Sequence, residues 1–219
     1  MNNLPVFSRR RVLLGSGACA VAALGGAAKA ADKLQRTPTQ VLGPFYPLDQ
    51  PLEIDADLTL VKGRKEHAKG QVVHVMGRVL NADGKPVSGA QIEIWQANAN
   101  GRYAHPADNN PAPLDPGFQG YAKLRTDAAG RYRFKTIKPG GYPAGRFMRP
   151  AHIHFDVAGK LDRLVTQMYF PDDPLNEDDG VLATAAKSRQ LLVAEVRAPT
   201  ADLSPDSLLA HWNIVLENG

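Results

Sequence analysis

The stretch VHVMGRVLNADGKPVSGAQIEIWQ, residues 73–96, decides the fold. Its second half alternates: Ile92 and Ile94 take one side, and Gln91, Glu93 and Trp95 take the other. Successive side chains of an extended chain point to opposite faces, so a period of two marks a strand whose faces meet different surroundings. Val73 to Leu80 makes a first strand, and the Asn81-Ala82-Asp83-Gly84-Lys85-Pro86 cluster between the two is turn chemistry. The design returns downstream, with Tyr121 to Thr126, a turn at Asp127-Ala128-Ala129-Gly130, then Arg131 to Thr136. Further strands are expected at His152 to Val157, Leu164 to Phe170, Gln190 to Arg197 and His211 to Leu216, with a short helix inside Asp178 to Ser188. Many short strands punctuated by Gly, Pro and Asp, without a long helical period, predict an all-β chain: an antiparallel β-sandwich with little helix.

Outward from that core, residues 71–219 form the sandwich domain and residues 31–70 an irregular, proline-bearing arm. The arm is expected to pack on the domain, because Leu42, Phe45 and Tyr46 would otherwise expose much apolar surface. Residues 1–30 read as a twin-arginine export signal. Ser8-Arg9-Arg10-Arg11-Val12-Leu13-Leu14 resembles its motif, an apolar Gly/Ala-rich run follows to Ala28, and Ala28-Lys29-Ala30 fits a cleavage site. That run is glycine-interrupted and shorter than the roughly 20 apolar residues of a spanning helix. The expected destination is therefore the periplasm or the exterior, with no membrane span in the mature chain.

Charge follows the same division. The 26 Lys and Arg include Arg9, Arg10, Arg11 and Lys29 of the signal, and the remainder equals the 22 Asp and Glu, all of which lie beyond it. A basic pI near 9.2 would invite a nucleic-acid partner, and the neutral remainder removes that argument. The single cysteine, Cys19, also lies in the signal, so the mature chain forms no disulfide and depends on core packing or a metal.

The chemistry concentrates in RPAHIHF, residues 149–155. On a strand His152 and His154 share one face while Ile153 and Phe155 take the other, and a same-face histidine pair seeds metal sites without naming the metal. Two tyrosines stand in rigid turns upstream, Tyr103 in NANGRYAH and Tyr142 in IKPGGYP. Two phenolates and two imidazoles suit ferric iron, because phenolate is a hard anionic donor. Zinc or blue copper more naturally takes cysteine or a third histidine, and His105 is the spare imidazole that keeps such a site open.

ANANGRYAH, APLDPGFQGYAKLRTDAAGRYRFKTIKPGGYP, RPAHIHF and TQMYFPDDP, with GPFYP in the arm, resemble the intradiol ring-cleavage dioxygenases, most of all protocatechuate 3,4-dioxygenase β subunits. The resemblance implies a mononuclear non-haem Fe(III) held by Tyr103, Tyr142, His152 and His154. It also implies cleavage of a catechol with O2, between the hydroxyl-bearing carbons, to a cis,cis-muconate-type diacid. Arg149 would stabilise negative charge on the substrate ring, Gln167 would stand near the same pocket, and Tyr142 would take part in catalysis as well as ligation.

Departures from the pattern bear on substrate. Ala144 stands where protocatechuate enzymes tend to carry tryptophan, and the short Pro143–Met148 loop leaves Phe147 or Tyr46 to refill the mouth of the pocket. Residues 31–70 are too short for the extra N-terminal helical domain usual in catechol and hydroxyquinol enzymes. A homo-oligomer or a companion α subunit is the expected assembly. The rival reading is a non-catalytic module, since GRVLNADGKPVSGAQIEIW and TDAAGRYRF also resemble transthyretin-like and carboxypeptidase-regulatory domains. In such a module the two tyrosines and two histidines have no reason to converge.

Overall fold

The structure is a computed structural model that describes residues 33–48 and 55–219. The expected export signal lies outside the described residues. Eleven described strands run β1 (Val72–Asn81), β2 (Gln91–Trp95), β3 (Tyr121–Arg125), β4 (Arg131–Ile137), β5 (Tyr142–Ala144), β6 (Phe147–Arg149), β7 (His152–Ala158), β8 (Arg163–Tyr169), β9 (Glu195–Arg197), β10 (Leu208–His211) and β11 (Ile214–Leu216). One sheet is built on β1, which pairs β4 on one side and β10 and β11 on the other, with β9 beyond β10. The second is antiparallel, in the order β3-β2-β7-β8.

The alternation that predicted two-faced strands is what joins the sheets. Val73, Val75 and Val79 of β1, Phe134 of β4, Ile92 and Ile94 of β2, and Ile153, Phe155 and Val157 of β7 enter one core and are almost wholly buried. Phe155 meets Phe134 at 6.0 Å between ring centroids and Trp212 at 5.0 Å, so the second sheet seals against the first. The other face of the second sheet is covered as well, which is why Trp95, His152, His154 and Gln167 are buried too.

Three local expectations are corrected. The sandwich is all-β, yet its first sheet is mixed, because β10 and β11 run parallel to β1. The strand expected over Gln190 to Arg197 starts inside a 3₁₀ helix, Ala186–Leu192, and is extended only from Val193, which bridges Tyr169, through β9. Tertiary contacts override the apolar pattern there: Leu192 is buried in the core, and the Leu191 carbonyl accepts from Trp212 Nε1 instead of a strand neighbour. The strand expected from His211 to Leu216 is split into β10 and β11 at Trp212-Asn213. The short helix expected inside Asp178 to Ser188 is present, as the single turn α1 (Gly180–Ala183).

Described parts of the arm are bonded along the domain: Leu34 N donates to Ala82 O, Thr37 N to Val215 O and Gln40 N to Val165 O, and Leu58 is fully buried. Among the described residues no helix is long and apolar enough to cross a membrane.

Candidate active site

His152 and His154 project from the outer face of β7, opposite Ile153 and Phe155, as the period of two requires. The ladder sets their neighbours. His154 is registered against Trp95 of β2 and Gln167 of β8, and His152 against Tyr169 of β8. Trp95 stacks on the His154 ring at 4.9 Å and 9°, fixing the plane of the imidazole. Gly43 of the arm covers it with φ +78°, and a Cβ there would stand 3.0 Å from His154 Cε1, so only glycine admits so close an approach.

The tyrosines arrive on two loops that lock together through glycine. Asn98 Oδ1 accepts from Asn100 N and Arg102 N, Tyr103 N donates to Asp108 Oδ2, and these bonds hold the NGRY turn. Gly101 has φ +77°, and a Cβ on it would come 2.2 Å from Gly141 O, so the two loops touch backbone to backbone. The second loop opens into a hairpin, β5–β6, where a loop had been expected over Pro143 to Met148. Its two-residue turn has Gly145 at positive φ, which matches the twist of paired strands. Tyr142 pairs with Arg149 across this hairpin.

The four side chains converge. Tyr103 and Tyr142 meet edge to face at 5.4 Å, Tyr142 lies 5.5 Å from His152, the histidine rings lie 4.9 Å apart, and Tyr103 is 6.3 Å from His154. The Tyr142 hydroxyl is 3.5 Å from His152 Nε2, which is 3.2 Å from His154 Nε2. His152 Nδ1 sits 2.7 Å from the Pro150 carbonyl and must donate to it, so Nε2 carries a bare lone pair aimed into the cluster. Burial, with the Arg149 charge adding to it, pushes the His152 pKa down to about 3. Burial, then the His152 and Arg149 charges, pushes that of His154 far down too, so both rings are neutral and free to donate electron pairs. Burial raises the pKa of Tyr103 and of Tyr142, so each phenol keeps its proton until a cation replaces it.

These atoms fit a metal ion. The Tyr103 hydroxyl is buried without a well-formed hydrogen bond and has only the Tyr142 phenol to interact with, a cost a protein interior rarely tolerates. Neighbouring donors on one ion at roughly 2 Å come about 3 Å apart, the spacing of the two Nε2 atoms. Among the described residues no group of three His, Cys, Asp or Glu side chains could hold a metal, so the zinc or copper alternative through His105 finds no support.

Beside the cluster, Arg149 is buried and held on two sides. Its Nε meets Asp179 Oδ2 at 3.2 Å, and Nη2 donates to Gln167 Oε1 at 2.8 Å and to the Tyr169 hydroxyl at 3.1 Å. Gln167 Nε2 in turn donates to Val41 O of the arm. Asp179 and Tyr169 were missed in the sequence; Tyr169 lies two residues past Gln167 and so on its face, whereas nothing local points Asp179 at Arg149. Asp173 was missed too: it takes the Ala151 N–H with one carboxylate oxygen and Leu175 N–H with the other, bracing the entry to β7.

The two residues expected to refill the pocket mouth take different places: Tyr46 packs against the cluster that holds Tyr103 and Tyr142, and Phe147 does not. Phe147 is 67% exposed at the hairpin, near the Arg146 guanidinium. The Tyr46 ring meets Trp95 edge-on, and its hydroxyl donates to Glu93 Oε2 at 2.6 Å, which with burial raises its pKa to about 12. Phe45 takes the inner position instead, 4.7 Å from Tyr103 and 6.0 Å from Tyr142.

A two-phenol, two-imidazole cluster on the outer face of a β-sandwich, flanked by a buried arginine, points to one class of enzyme. The family model described as Dioxygenase matches residues 41–218, and the chain belongs to the intradiol ring-cleavage dioxygenase family. Among its relatives, the protocatechuate 3,4-dioxygenase β chain of Burkholderia cepacia is 45% identical over 165 residues, which are 73% of this chain and 70% of that one. Catechol 1,2-dioxygenase 2 of Acinetobacter lwoffii is 35% identical over 74% of this chain, but the match spans only 59% of that enzyme. A solved dioxygenase domain, from a dioxygenase carbohydrate-binding protein fusion of Streptomyces sp. SirexAA-E, superposes with a TM-score of 0.64 at 26% identity, covering 84% of this chain and all of that one. The chain is thus an intradiol dioxygenase, and the non-catalytic module is set aside.

Proposed function

We propose that Tyr103, Tyr142, His152 and His154 hold one non-haem Fe(III), and that the enzyme uses it to open a catechol with O2 between its hydroxyl-bearing carbons, giving a cis,cis-muconate-type diacid. The observation that carries this reading is the convergence of the four side chains, with the buried Tyr103 hydroxyl left only the Tyr142 phenol to interact with. Bound there, Fe(III) would make the catecholate reactive toward O2. Two tyrosinates supply negative charge that a buried trivalent cation needs, since an uncompensated one is costly to bury.

Around it the chain's own groups have separate tasks. The Pro150 carbonyl fixes the His152 tautomer, and Trp95 and Gly43 fix the plane and depth of His154. Tyr142 lies nearest His152 and sits on the short hairpin; its phenolic oxygen is the site to which a catechol proton passes, because burial makes it a strong base once it is free. Arg149 and Gln167 line the substrate side, with Arg149 placed to meet negative charge developing on the ring. Phe45 keeps water from Tyr103.

Iron-loaded protein is expected to show a tyrosinate-to-iron colour and to take up O2 with catechols without added reductant. Colourless protein that consumes no O2 with catechol, protocatechuate, hydroxyquinol or substituted catechols refutes the reading. Residues 1–30 support export through the twin-arginine route, and the β-chain relationship supports an assembly with a companion subunit or with further copies of the chain. Cell fractionation of the Arg9→Lys/Arg10→Lys chain and sizing of the purified protein test these two points.

A further inference from the structure

Arg149 has only one free edge. Nε and Nη2 are taken by Asp179, Gln167 and Tyr169, while among the described residues Nη1 donates to no protein atom. The Asp179 side chain is only 1% exposed, and its other oxygen accepts from Val181 N at 2.8 Å at the start of α1, so the carboxylate cannot swing away from the guanidinium. A buried carboxylate against a buried guanidinium cancels its net charge while leaving its N–H donors in place.

Two other cations of the domain are matched by carboxylates as well. Lys123 is paired with Glu93 at 2.9 Å and Lys138 with Asp172 at 2.9 Å. Arg146 lies out on the exposed hairpin turn, over the Phe147 ring. A ring carboxylate that reaches Arg149 loses its water without meeting an uncompensated positive charge there, whereas a catechol with neutral substituents bears no such cost.

We propose that Asp179 is a positioning residue that sets substrate class: by neutralising Arg149 while holding its free edge toward the ring, it makes the site select catechols with uncharged substituents over catechol carboxylates. The proposal rests on the catechol-cleaving reading of the site.

The test uses the iron-loaded full chain, unaltered and as Asp179→Asn, with catechol, 4-methylcatechol and protocatechuate. O2 uptake gives kcat/KM, and anaerobic titration of the iron colour gives Kd without turnover. For the unaltered enzyme, kcat/KM with catechol and 4-methylcatechol should exceed that with protocatechuate by at least about tenfold, with the difference carried by Kd. In Asp179→Asn the ratio should move toward protocatechuate by about tenfold or more, through a tighter Kd for the carboxylate alone. An unaltered enzyme that prefers protocatechuate overturns the proposal, and so does a variant that loses all three substrates in equal proportion. The first comparison needs no variant, so it stands even if Asp179→Asn fails to fold. Absence of O2 uptake with all three substrates overturns the catechol reading itself, and the proposal with it.

Discussion

The Tyr103 hydroxyl is the most informative single atom: buried, without a well-formed hydrogen bond, and influenced chiefly by another phenol, Tyr142. Its environment is hostile to a free phenolate and to a lone phenol alike, and a cation resolves both. Tyr103→Phe removes the donor while keeping the ring against Phe45, so the fold should survive. We expect turnover to fall by more than about 100-fold and the visible band of the iron-loaded protein to shift and weaken, as read by stopped-flow O2 uptake and absorption. Unchanged iron content and turnover would remove Tyr103 from the ligand set. The four converging side chains were legible because each sits in a short motif whose spacing has a local meaning: His-x-His on a strand, tyrosine after Asn-Gly, tyrosine after Gly-Gly. Asp179 was not, because its partner is 30 positions away and its own neighbours, Asp178 and Gly180, describe only the start of a helix.

Among the elements, β1 shows how far a periodic pattern reaches and where it stops. Alternation around Ile92 and Ile94 correctly gave strands and their inward faces, because burial on one face is a local constraint repeated every second residue. It carried no information on partners, so the parallel pairing of β1 with β10 and β11 was not legible. One residue does record it. Gly77 lies where β10 gives way to β11, and a Cβ there would come 1.7 Å from the Trp212 carbonyl oxygen, a backbone atom that cannot step aside. Gly77→Ala is therefore expected to destabilise the protein by about 3 kcal/mol or more, measured as a lower urea midpoint. A loss under 0.5 kcal/mol would mean that the two chain segments are not in contact. The hairpin β5–β6 was hidden for a different reason: three-residue strands carry too few residues to show a period.

Across the whole molecule, one carboxylate ties three distant parts together. Asp162, after β7, accepts from Arg36 of the arm at 3.2 Å and from Glu217 N near the end of the chain at 2.8 Å. Burial alone would raise its pKa, but the Arg36 guanidinium and the Glu217 N–H outweigh it and hold the carboxyl below the usual range. A depressed acid contributes stability that is fully present above the unfolded value of about 4 and is lost as pH falls through the folded value. With Arg36 partly exposed, the contribution is at most about 1 kcal/mol. Asp162→Asn should thus melt lower than the unaltered protein at pH 6 to 7, and the gap should close below pH 4. A gap that widens on acidification contradicts the pairing.

The parallel contact between β1 and the last strands has a kinetic consequence. It joins residues as far apart as Val73 and Leu208, and such a loop must close before the contact yields any free energy. A chain still emerging from the ribosome can form β4 against β1, yet it leaves the other edge of β1 bare, with unpaired amides and carbonyls open to a neighbouring chain. The four side chains proposed to hold the iron are all synthesised by residue 154, well before the segment that seals that edge. On the proposed reading the nascent chain holds every donor for the metal before it has a closed sandwich to hold them still, so the final donor geometry would form only once the last strands dock.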